Sequence, residues 1–108
     1  MTTIIPRVRV PATAAPGEIV RIRTLLTHPM ETGRRKGPDG VVVPRWIVTR
    51  FVAAFAGETI VSVEIDPAIA ANPYFEFDAR LEASGVFTFR WTDDIGAVYE
   101  VTQDIVVG

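Results

Sequence analysis

The chain offers few side chains that could perform catalysis or hold a metal ion. It has one histidine, His28, and no cysteine, whereas zinc and copper sites need several nitrogen or sulfur ligands. Its two serines, Ser62 and Ser84, fall in an expected strand and an expected turn rather than in a nucleophile motif. The glycines match neither common pattern of a phosphate-binding loop. These residue types predict a protein that is not an enzyme and that uses no metal or cofactor.

His28 is the residue best suited to acid–base chemistry, and three interpretations of it remain open. It could be packed in the interior or under a loop, act as a general base, or contact a partner. A small hydrolase that combines His28 with Glu31 and Arg45 is therefore one functional alternative. The buried interpretation is favoured over the other two.

Acidic residues cluster in Asp93-Asp94-Ile95-Gly96. The segment lacks the alternating oxygen ligands and the distal glutamate of a calcium-binding loop, so we expect a solvated turn that leads into the last strand. Glu76 and Asp78 alternate with apolar residues and are expected on a solvent face. This placement argues against a hydrolase with two carboxylates.

Charge is balanced overall but uneven along the chain. Eleven basic and thirteen acidic residues give a net charge of −2, which provides no general attraction for nucleic acid or anionic lipid. Residues 1–54 hold nine basic and three acidic side chains, and residues 55–108 hold two and ten. We therefore expect arginines beside acidic residues on adjacent antiparallel strands. The basic cluster Arg34-Arg35-Lys36 is either a solvated loop tip or a docking site for an acidic surface or a small anion.

The elements that must position these residues are strands, because apolar residues recur with a period of two. Short alternating segments separated by turn residues predict an all-β fold, an immunoglobulin-like antiparallel β-sandwich of about seven strands with one long loop. A length of 108 residues fits a single domain, residues 1–108, with a radius of gyration of about 13 Å. The expected strands span residues 7–10, 18–26, 47–56, 59–65, 75–82, 87–91 and 97–107.

Three segments add detail to this fold. The segment Ile47–Ala56 is apolar on both faces, which predicts a central strand whose outer face meets another molecule; an isolated chain would then self-associate. The long connection Thr27–Pro44 carries turn residues at its tip, so part of it is expected to form an extended hairpin. Asp66 is expected to cap a single helical turn over residues 67–72.

The sequence contains no signal for a membrane. No apolar stretch approaches the roughly 20 residues that cross a bilayer. The first residues, Met1–Arg7, lack the basic and apolar regions of a secretory signal peptide. By itself the chain is expected in the cytoplasm.

Several stretches resemble one particular family. Thr27-His28-Pro29-Met30-Glu31-Thr32-Gly33-Arg34-Arg35-Lys36, then Pro44-Arg45, then Asp66–Phe77, which contains Asn72-Pro73-Tyr74-Phe75-Glu76-Phe77, and finally Trp91-Thr92-Asp93-Asp94 follow the order found in the SoxZ family. The resemblance covers essentially the whole chain. Generic packing of a sandwich demands none of these stretches, so the chain is identified as similar to SoxZ proteins.

The resemblance implies a non-catalytic subunit of the SoxYZ sulfur carrier complex of bacterial thiosulfate oxidation. The partner SoxY presents a mobile glycine-rich C-terminal arm whose cysteine holds the sulfur intermediate. The implied partners are SoxY, in a heterodimer or its doubled form, and transiently the other Sox enzymes, with a homodimer in isolation. The family works in the periplasm, and co-export with SoxY would bring a chain without its own signal there.

The resemblance also points to residues that could contact SoxY or dock Sox enzymes. Most belong to the two specific stretches, and Trp46 and Phe51 are expected behind them. The alternative is a stand-alone immunoglobulin-like binding module, which explains the fold but not the ordered stretches. The candidate partner-binding residues are His28, Pro29, Met30, Glu31, Thr32, Gly33, Arg34, Arg45, Trp46, Phe51, Asn72, Tyr74 and Phe75.

Overall fold

A computed structural model describes residues 4–65 and 72–108. Within these ranges the chain forms eight β-strands and no helix. The predicted helical turn over residues 67–72, with Asp66 as its cap, lies outside the described residues except for Asn72. The strands are β1 (Ile5–Arg9), β2 (Thr13–Ala14), β3 (Glu18–Thr27), β4 (Val48–Phe55), β5 (Glu58–Glu64), β6 (Tyr74–Leu81), β7 (Gly85–Asp93) and β8 (Val98–Val107).

The strands form two sheets that confirm the predicted sandwich. One sheet has the order β1-β3-β6 and the other the order β2-β8-β7-β4-β5. All pairings are antiparallel except that of β2 with β8. The strand beyond the expected seven is β2, whose two residues are too few to produce an alternating pattern.

Large aromatic side chains fill the space between the sheets. Phe87, Phe89 and Trp91 alternate along β7 and are completely buried, because successive strand residues point to opposite faces. Phe51 of β4 lies against Trp91 and stacks on Phe75 of the opposite sheet, with ring centroids 4.9 Å apart. The period of two therefore predicted the core correctly.

Strand β4 lies between β5 and β7, as expected of a central strand. The turn to β5 places Ala56 and Gly57 at φ angles of 51° and 83°, the backbone of a tight hairpin turn. On its outer face, Val52 and Ala54 are half-buried. Within residues 4–65 and 72–108, no second layer covers this face.

Arginines lie beside acidic residues on adjacent strands, as the charge distribution predicted. On β3 and β6, Arg21 pairs with Asp78 at 3.2 Å and with Glu76 at 3.1 Å. On β7 and β8, Arg90 pairs with Glu100 at 2.7 Å. The pairs of Arg21 join the basic and the acidic half of the chain, whereas Arg90 and Glu100 both belong to the acidic half.

The long connection between β3 and β4 forms a hairpin, residues 31–46, which we call the arm. Backbone bridges join Glu31 to Trp46 and Lys36 to Val42, and Gly40 closes the tip with an N–H donated to the Gly37 carbonyl at 3.0 Å. The molecule measures 57 × 21 × 19 Å, whereas a ten-residue strand spans about 33 Å. The long axis is therefore consistent with an arm that extends the sandwich.

The described residues contain no helix long and apolar enough to cross a membrane.

A candidate interaction site at the base of the arm

The base of the arm is fixed by a reciprocal pair of hydrogen bonds between His28 and Asn72. The His28 N–H donates to Asn72 Oδ1 at 3.0 Å, and the Asn72 N–H donates to the His28 carbonyl at 2.8 Å. Asn72 has a φ angle of 59°, a left-handed conformation that asparagine tolerates better than most residues. Two of the SoxZ-like stretches, far apart in sequence, therefore meet at the end of β3.

The imidazole of His28 is completely buried. Its Nδ1 accepts the Met30 N–H at 2.9 Å, so the proton of the neutral ring is on Nε2. Burial lowers the pKa of His28, against the opposing effect of the Asp93 and Asp94 carboxylates. Among the described residues, Nε2 has no hydrogen-bond partner, and the Trp46 ring lies 4.6 Å from the imidazole.

Met30 connects the base of the arm to the sandwich. Its φ angle of 50° turns the chain sharply, and its Sδ accepts the Val48 N–H at 3.3 Å. The next residue, Glu31, exchanges two backbone hydrogen bonds with Trp46, at 2.8 and 2.7 Å. Backbone hydrogen bonds therefore fix both strands of the arm at its base.

Asp93 is the centre of this network. Its carboxylate is buried and accepts hydrogen bonds from Trp46 Nε1 at 3.0 Å, Tyr99 OH at 2.9 Å, and the N–H groups of Ile95 and Ala97 at 3.1 and 2.8 Å. Burial raises the pKa of Asp93, but these four donors outweigh it, so the pKa lies below the ordinary value. The ionised carboxylate thereby holds Trp46 in place.

Tyr99 and Asp94 extend the network on either side. Burial and the hydrogen bond to Asp93 raise the pKa of Tyr99 to about 12. Asp94 accepts the Ile47 N–H at 3.1 Å, donates its own N–H to the Ile47 carbonyl at 2.9 Å, and pairs with Arg45 at 3.2 Å. The turn after β7 thus binds the strand that returns from the arm.

The structure separates the candidate residues into a buried group and an exposed group. His28, Met30 and Phe51 are at most 5% exposed, in agreement with the favoured buried interpretation of His28 and with the expected place of Phe51 behind the surface. Phe75 is half-buried and stacks inward on Phe51. The side chains or backbone of Pro29, Glu31, Thr32, Gly33, Arg34, Arg45, Trp46, Asn72 and Tyr74 reach solvent.

The exposed candidates lie on the arm and beside its base. Glu31 is held by Arg35, whose guanidinium hydrogen bond lowers the pKa of Glu31. Gly33 has a φ angle of 84°, and a Cβ there would lie 3.3 Å from the Cβ of Arg45, so glycine lets the two strands of the arm approach. Tyr74 donates to Glu76 at 2.8 Å on the outer side of β6.

Sequence reasoning missed the central role of Asp93. The prediction of a solvated acidic turn is wrong for Asp93, which is 3% exposed, because the side chain folds back over its own turn and binds two backbone N–H groups. Tyr99 was not singled out at all. The indole N–H of Trp46, which needs an acceptor when buried, was the available signal.

The hydrolase alternative finds no support in this geometry. His28 is closed off from solvent, Glu31 pairs with Arg35, and Arg45 pairs with Asp94. The three side chains have separate partners and do not converge on one site. The described residues also contain no cluster of three or more side chains able to hold a metal ion.

Comparisons with known proteins agree with this fold and these stretches. The family model described as "Sulphur oxidation protein SoxZ" matches residues 8–104. No curated protein matches the chain significantly.

Several solved structures share the fold. Superoxide reductase (neelaredoxin) from Ignicoccus hospitalis is 19% identical, with a TM-score of 0.69 over 95% of this chain and 80% of that one. The sulfur carrier protein SoxY from Chlorobium limicola f thiosulfatophilum is 13% identical, with a TM-score of 0.69 over 95% of this chain and 78% of that one. The CARDB domain of a Pyrococcus furiosus protein is 13% identical, with a TM-score of 0.60 over 98% of this chain and 88% of that one. At these identities the likeness shows the sandwich fold alone.

Proposed function

Because the chain belongs to the SoxZ family of sulfur-oxidation proteins, we propose that it is the non-catalytic subunit of a SoxYZ carrier complex. In this proposal it binds SoxY, whose C-terminal cysteine carries the sulfur intermediate, and it helps to dock the Sox enzymes that act on that intermediate. The chain has no cysteine of its own. A covalent sulfur intermediate therefore requires the partner's thiol.

The observation that carries the proposal is the convergence of the specific stretches at the base of the arm. Hydrogen bonds and one ion pair connect residues 28, 30–31, 45–47, 72 and 93–94 at the base of the arm. His28 is closed off from solvent, and the Asp93 carboxylate is occupied by four hydrogen bonds. Such an arrangement supports a rigid protruding element rather than turnover.

The arm presents the side chains that a passing enzyme would meet. Arg34 and Arg45 are exposed and cationic, and Val41 and Val42 are 63% and 47% exposed. Exposed apolar residues beside arginine are typical of protein interfaces. In our proposal the arm makes the transient contacts with Sox enzymes, and its fixed base limits the entropy lost on docking.

Localisation is part of the same proposal. The complex would act in the periplasm, which this chain would reach by co-export with SoxY. Fractionation of cells that express the chain with and without SoxY tests this point: periplasmic recovery only in the presence of SoxY is the expected result. Recovery in the periplasm without SoxY would contradict co-export.

The first experiment is native mass spectrometry of the chain alone and mixed with SoxY, alongside size-exclusion chromatography. We expect a 1:1 heterodimer or its doubled form, and the same complex with SoxY whose C-terminal cysteine is replaced by serine. Separate species at micromolar concentration would overturn the proposal and leave a stand-alone binding module. Consumption of thiosulfate by the purified chain would overturn the non-catalytic assignment.

A further inference from the structure

A groove of about 760 Å³, which we call the β1 groove, opens along β1, an edge strand of the three-stranded sheet. Three arginines line it: Arg7 and Arg9 of β1, and Arg23 of β3. The other sheet contributes Val101 and Gln103 of β8. Among the described residues, no carboxylate lines this groove. The groove is therefore cationic in a chain whose net charge is −2.

The register of β1 and β3 places these arginines side by side. Arg9 lies directly opposite Arg23, and the Cβ atoms of such a cross-strand pair are about 5 Å apart. Arg7 lies two residues from Arg9 on the same face of β1, a distance of about 7 Å along the strand. Like charges directly opposite each other on a sheet are destabilising. The cluster therefore costs stability unless an anion neutralises it.

The acidic side chain opposite this cluster neutralises it only in part. Glu76 of β6 is the cross-strand neighbour of Arg23. Its Oε1 pairs with Arg21 at 3.1 Å, whereas its Oε2 lies 3.9 Å from Arg23. The ion pairs formed within residues 4–65 and 72–108 include neither Arg7 nor Arg9. The two arginines of β1 thus have no acidic partner in the described part of the chain.

A second groove, of about 430 Å³ on the outer face of β4 and β7, has a more balanced charge. It is lined by two arginines, Arg50 and Arg90. Arg90 pairs with Glu100 at 2.7 Å, and Glu64 lies opposite Arg50 in the pair of β4 with β5. Each cation there has an acidic side chain as its cross-strand neighbour. The β1 groove is therefore the stronger candidate for an anion.

The ligand that fits the β1 groove best is a small oxyanion with two negative charges. A planar guanidinium donates two N–H groups to two oxygens at once, so Arg7, Arg9 and Arg23 offer more donors than the roughly four acceptor positions of one carboxylate. The amide of Gln103 adds a neutral donor at the groove. Two negative charges also offset more of the repulsion among three cations than one charge does.

We propose that the β1 groove binds a divalent tetrahedral oxyanion between Arg7, Arg9 and Arg23. In a chain of a sulfur-oxidation family, this chemistry has two sources. One is a dissolved ion such as sulfate or thiosulfate, and the other is an oxidised sulfur group on the cysteine of SoxY. The first source is independent of the proposed function, whereas the second rests on it.

The first test is a titration with sodium sulfate and with sodium thiosulfate, followed by NMR of the arginine side-chain Nε–H groups. Sodium chloride keeps the ionic strength constant, because screening alone changes with salt. We expect saturable shifts with a single dissociation constant at Arg7, Arg9 and Arg23. Arg9→Gln should weaken binding by about tenfold, since it removes a charged donor. Arg34→Gln on the arm removes the same charge and should stay within about twofold.

Thermal unfolding shows whether the loss comes from the site or from the fold. In chloride, Arg9→Gln should keep or raise the thermal midpoint, because it removes a pair of like charges. Sulfate stabilises folded proteins in general, so the informative quantity is the rise in midpoint relative to Arg34→Gln. That rise should be smaller for Arg9→Gln.

The second test separates the two sources of the oxyanion. SoxY is prepared with a free cysteine and with an S-sulfonated cysteine, and the affinity of each form is measured for the unmodified chain and for Arg9→Gln. An effect of Arg9→Gln confined to S-sulfonated SoxY supports the site and assigns it to the carried group. Binding of the dissolved ions alone supports the site and assigns it to a free oxyanion.

The remaining results overturn the inference or separate it from the proposed function. Equal affinities of the unmodified chain and Arg9→Gln for sulfate, thiosulfate and S-sulfonated SoxY would overturn it. Shifts that rise without saturation, as expected of screening, would overturn the binding of dissolved ions, and the same result with no effect on S-sulfonated SoxY would overturn the site. If SoxY does not bind the chain at all, the proposed function fails and the titration with dissolved ions decides on the site.

Discussion

At the scale of single residues, Asp93 links the turn after β7 to the returning strand of the arm. Its two oxygens serve two purposes: Oδ1 accepts the N–H groups of Ile95 and Ala97, and Oδ2 accepts Trp46 and Tyr99. An ionised carboxylate can fill four acceptor positions at once, which a neutral amide cannot. The four donors therefore require an ionised carboxylate at this position.

Asp93→Asn should destabilise the protein by about 2–4 kcal/mol, because at least one buried donor loses its acceptor. The measurement is urea unfolding at neutral pH. Asp39→Asn on the exposed tip of the arm is the matched control and should cost less than about 0.5 kcal/mol.

The Asp93 variant should also change the response to acid. The pKa of Asp93 in the folded protein is lowered from the ordinary 3.8. The stability it contributes is present above that ordinary value and disappears as the pH falls through the lower folded pKa. The free energy of unfolding should therefore fall less steeply with decreasing pH, below about pH 4, for Asp93→Asn than for the unmodified chain. Equal acid sensitivity would show that Asp93 is not ionised in the fold.

His28 should make stability depend on pH in a separate window. Its folded pKa is lowered from 6.5 mainly by burial. As the pH falls, His28 therefore becomes protonated at a higher pH in the unfolded chain than in the folded chain. Stability is then complete above about pH 6.5 and falls as the pH drops toward the folded pKa. Because His28 is the only histidine, its imidazole proton signal in NMR gives this pKa without ambiguity.

His28→Gln provides the control for that window. The variant should be less stable at about pH 7.5 and should lose the decline in stability that the unmodified chain shows as the pH falls below about 6.5. An NMR pKa above 6.5, or an unchanged slope in the variant, would contradict a buried neutral imidazole.

At the scale of elements, the end of the sandwich opposite the arm depends on a close approach between strands. Gly85 begins β7 beside the Phe55 ring, which ends β4. A Cβ at Gly85 would lie 2.7 Å from Phe55 Cζ, and Phe87 also packs on that ring, with centroids 4.7 Å apart. Glycine is therefore required here by space rather than by backbone conformation.

Gly85→Ala should lower the free energy of unfolding by about 1–3 kcal/mol, because the new methyl group displaces the Phe55 ring from its packed position. A double-mutant cycle with Phe55→Leu gives the test by chemical denaturation. In a chain that already carries Phe55→Leu, the cost of Gly85→Ala should fall below about 0.5 kcal/mol. Additive effects would show that the two residues do not compete for space.

The strands were predictable from sequence where alternation is uninterrupted, as in Tyr74–Leu81 and Gly85–Asp93. Alternation failed at the start of β4: Ile47 and Val48 are adjacent, and both are buried. A register shift between Val48 and Arg50 changes which face each residue meets. Such an irregularity depends on the partner strand, so a single segment does not reveal it.

The candidate site was predictable as a set of stretches but not as a geometry. The stretches around His28, Asn72 and Asp93 each resemble the same family. Their convergence depends on contacts over 44 and 47 positions, His28 with Asn72 and Trp46 with Asp93, which no local pattern encodes. For the same reason the buried or exposed state of His28 and Asp93 could only be decided by the fold.

At the scale of the whole molecule, the arm makes the protein longer than a compact domain of its size. The radius of gyration is 16.2 Å, compared with about 13 Å for a compact chain of 100 residues. The sequence indicated a hairpin at residues 27–44 but not its direction.

Replacement of residues 34–43 by Asn-Gly should shorten the molecule without unfolding it. The bridge between Glu31 and Trp46 and the Asp93 network below it remain, whereas about four residues are lost from each strand of the arm, or about 13 Å. Small-angle X-ray scattering should show the maximum dimension falling by that amount, with an unchanged thermal midpoint. An unchanged maximum dimension would mean that the arm folds back along the sandwich. Because the proposed function gives the arm the transient contacts with Sox enzymes, complexes of the shortened chain with those enzymes should weaken.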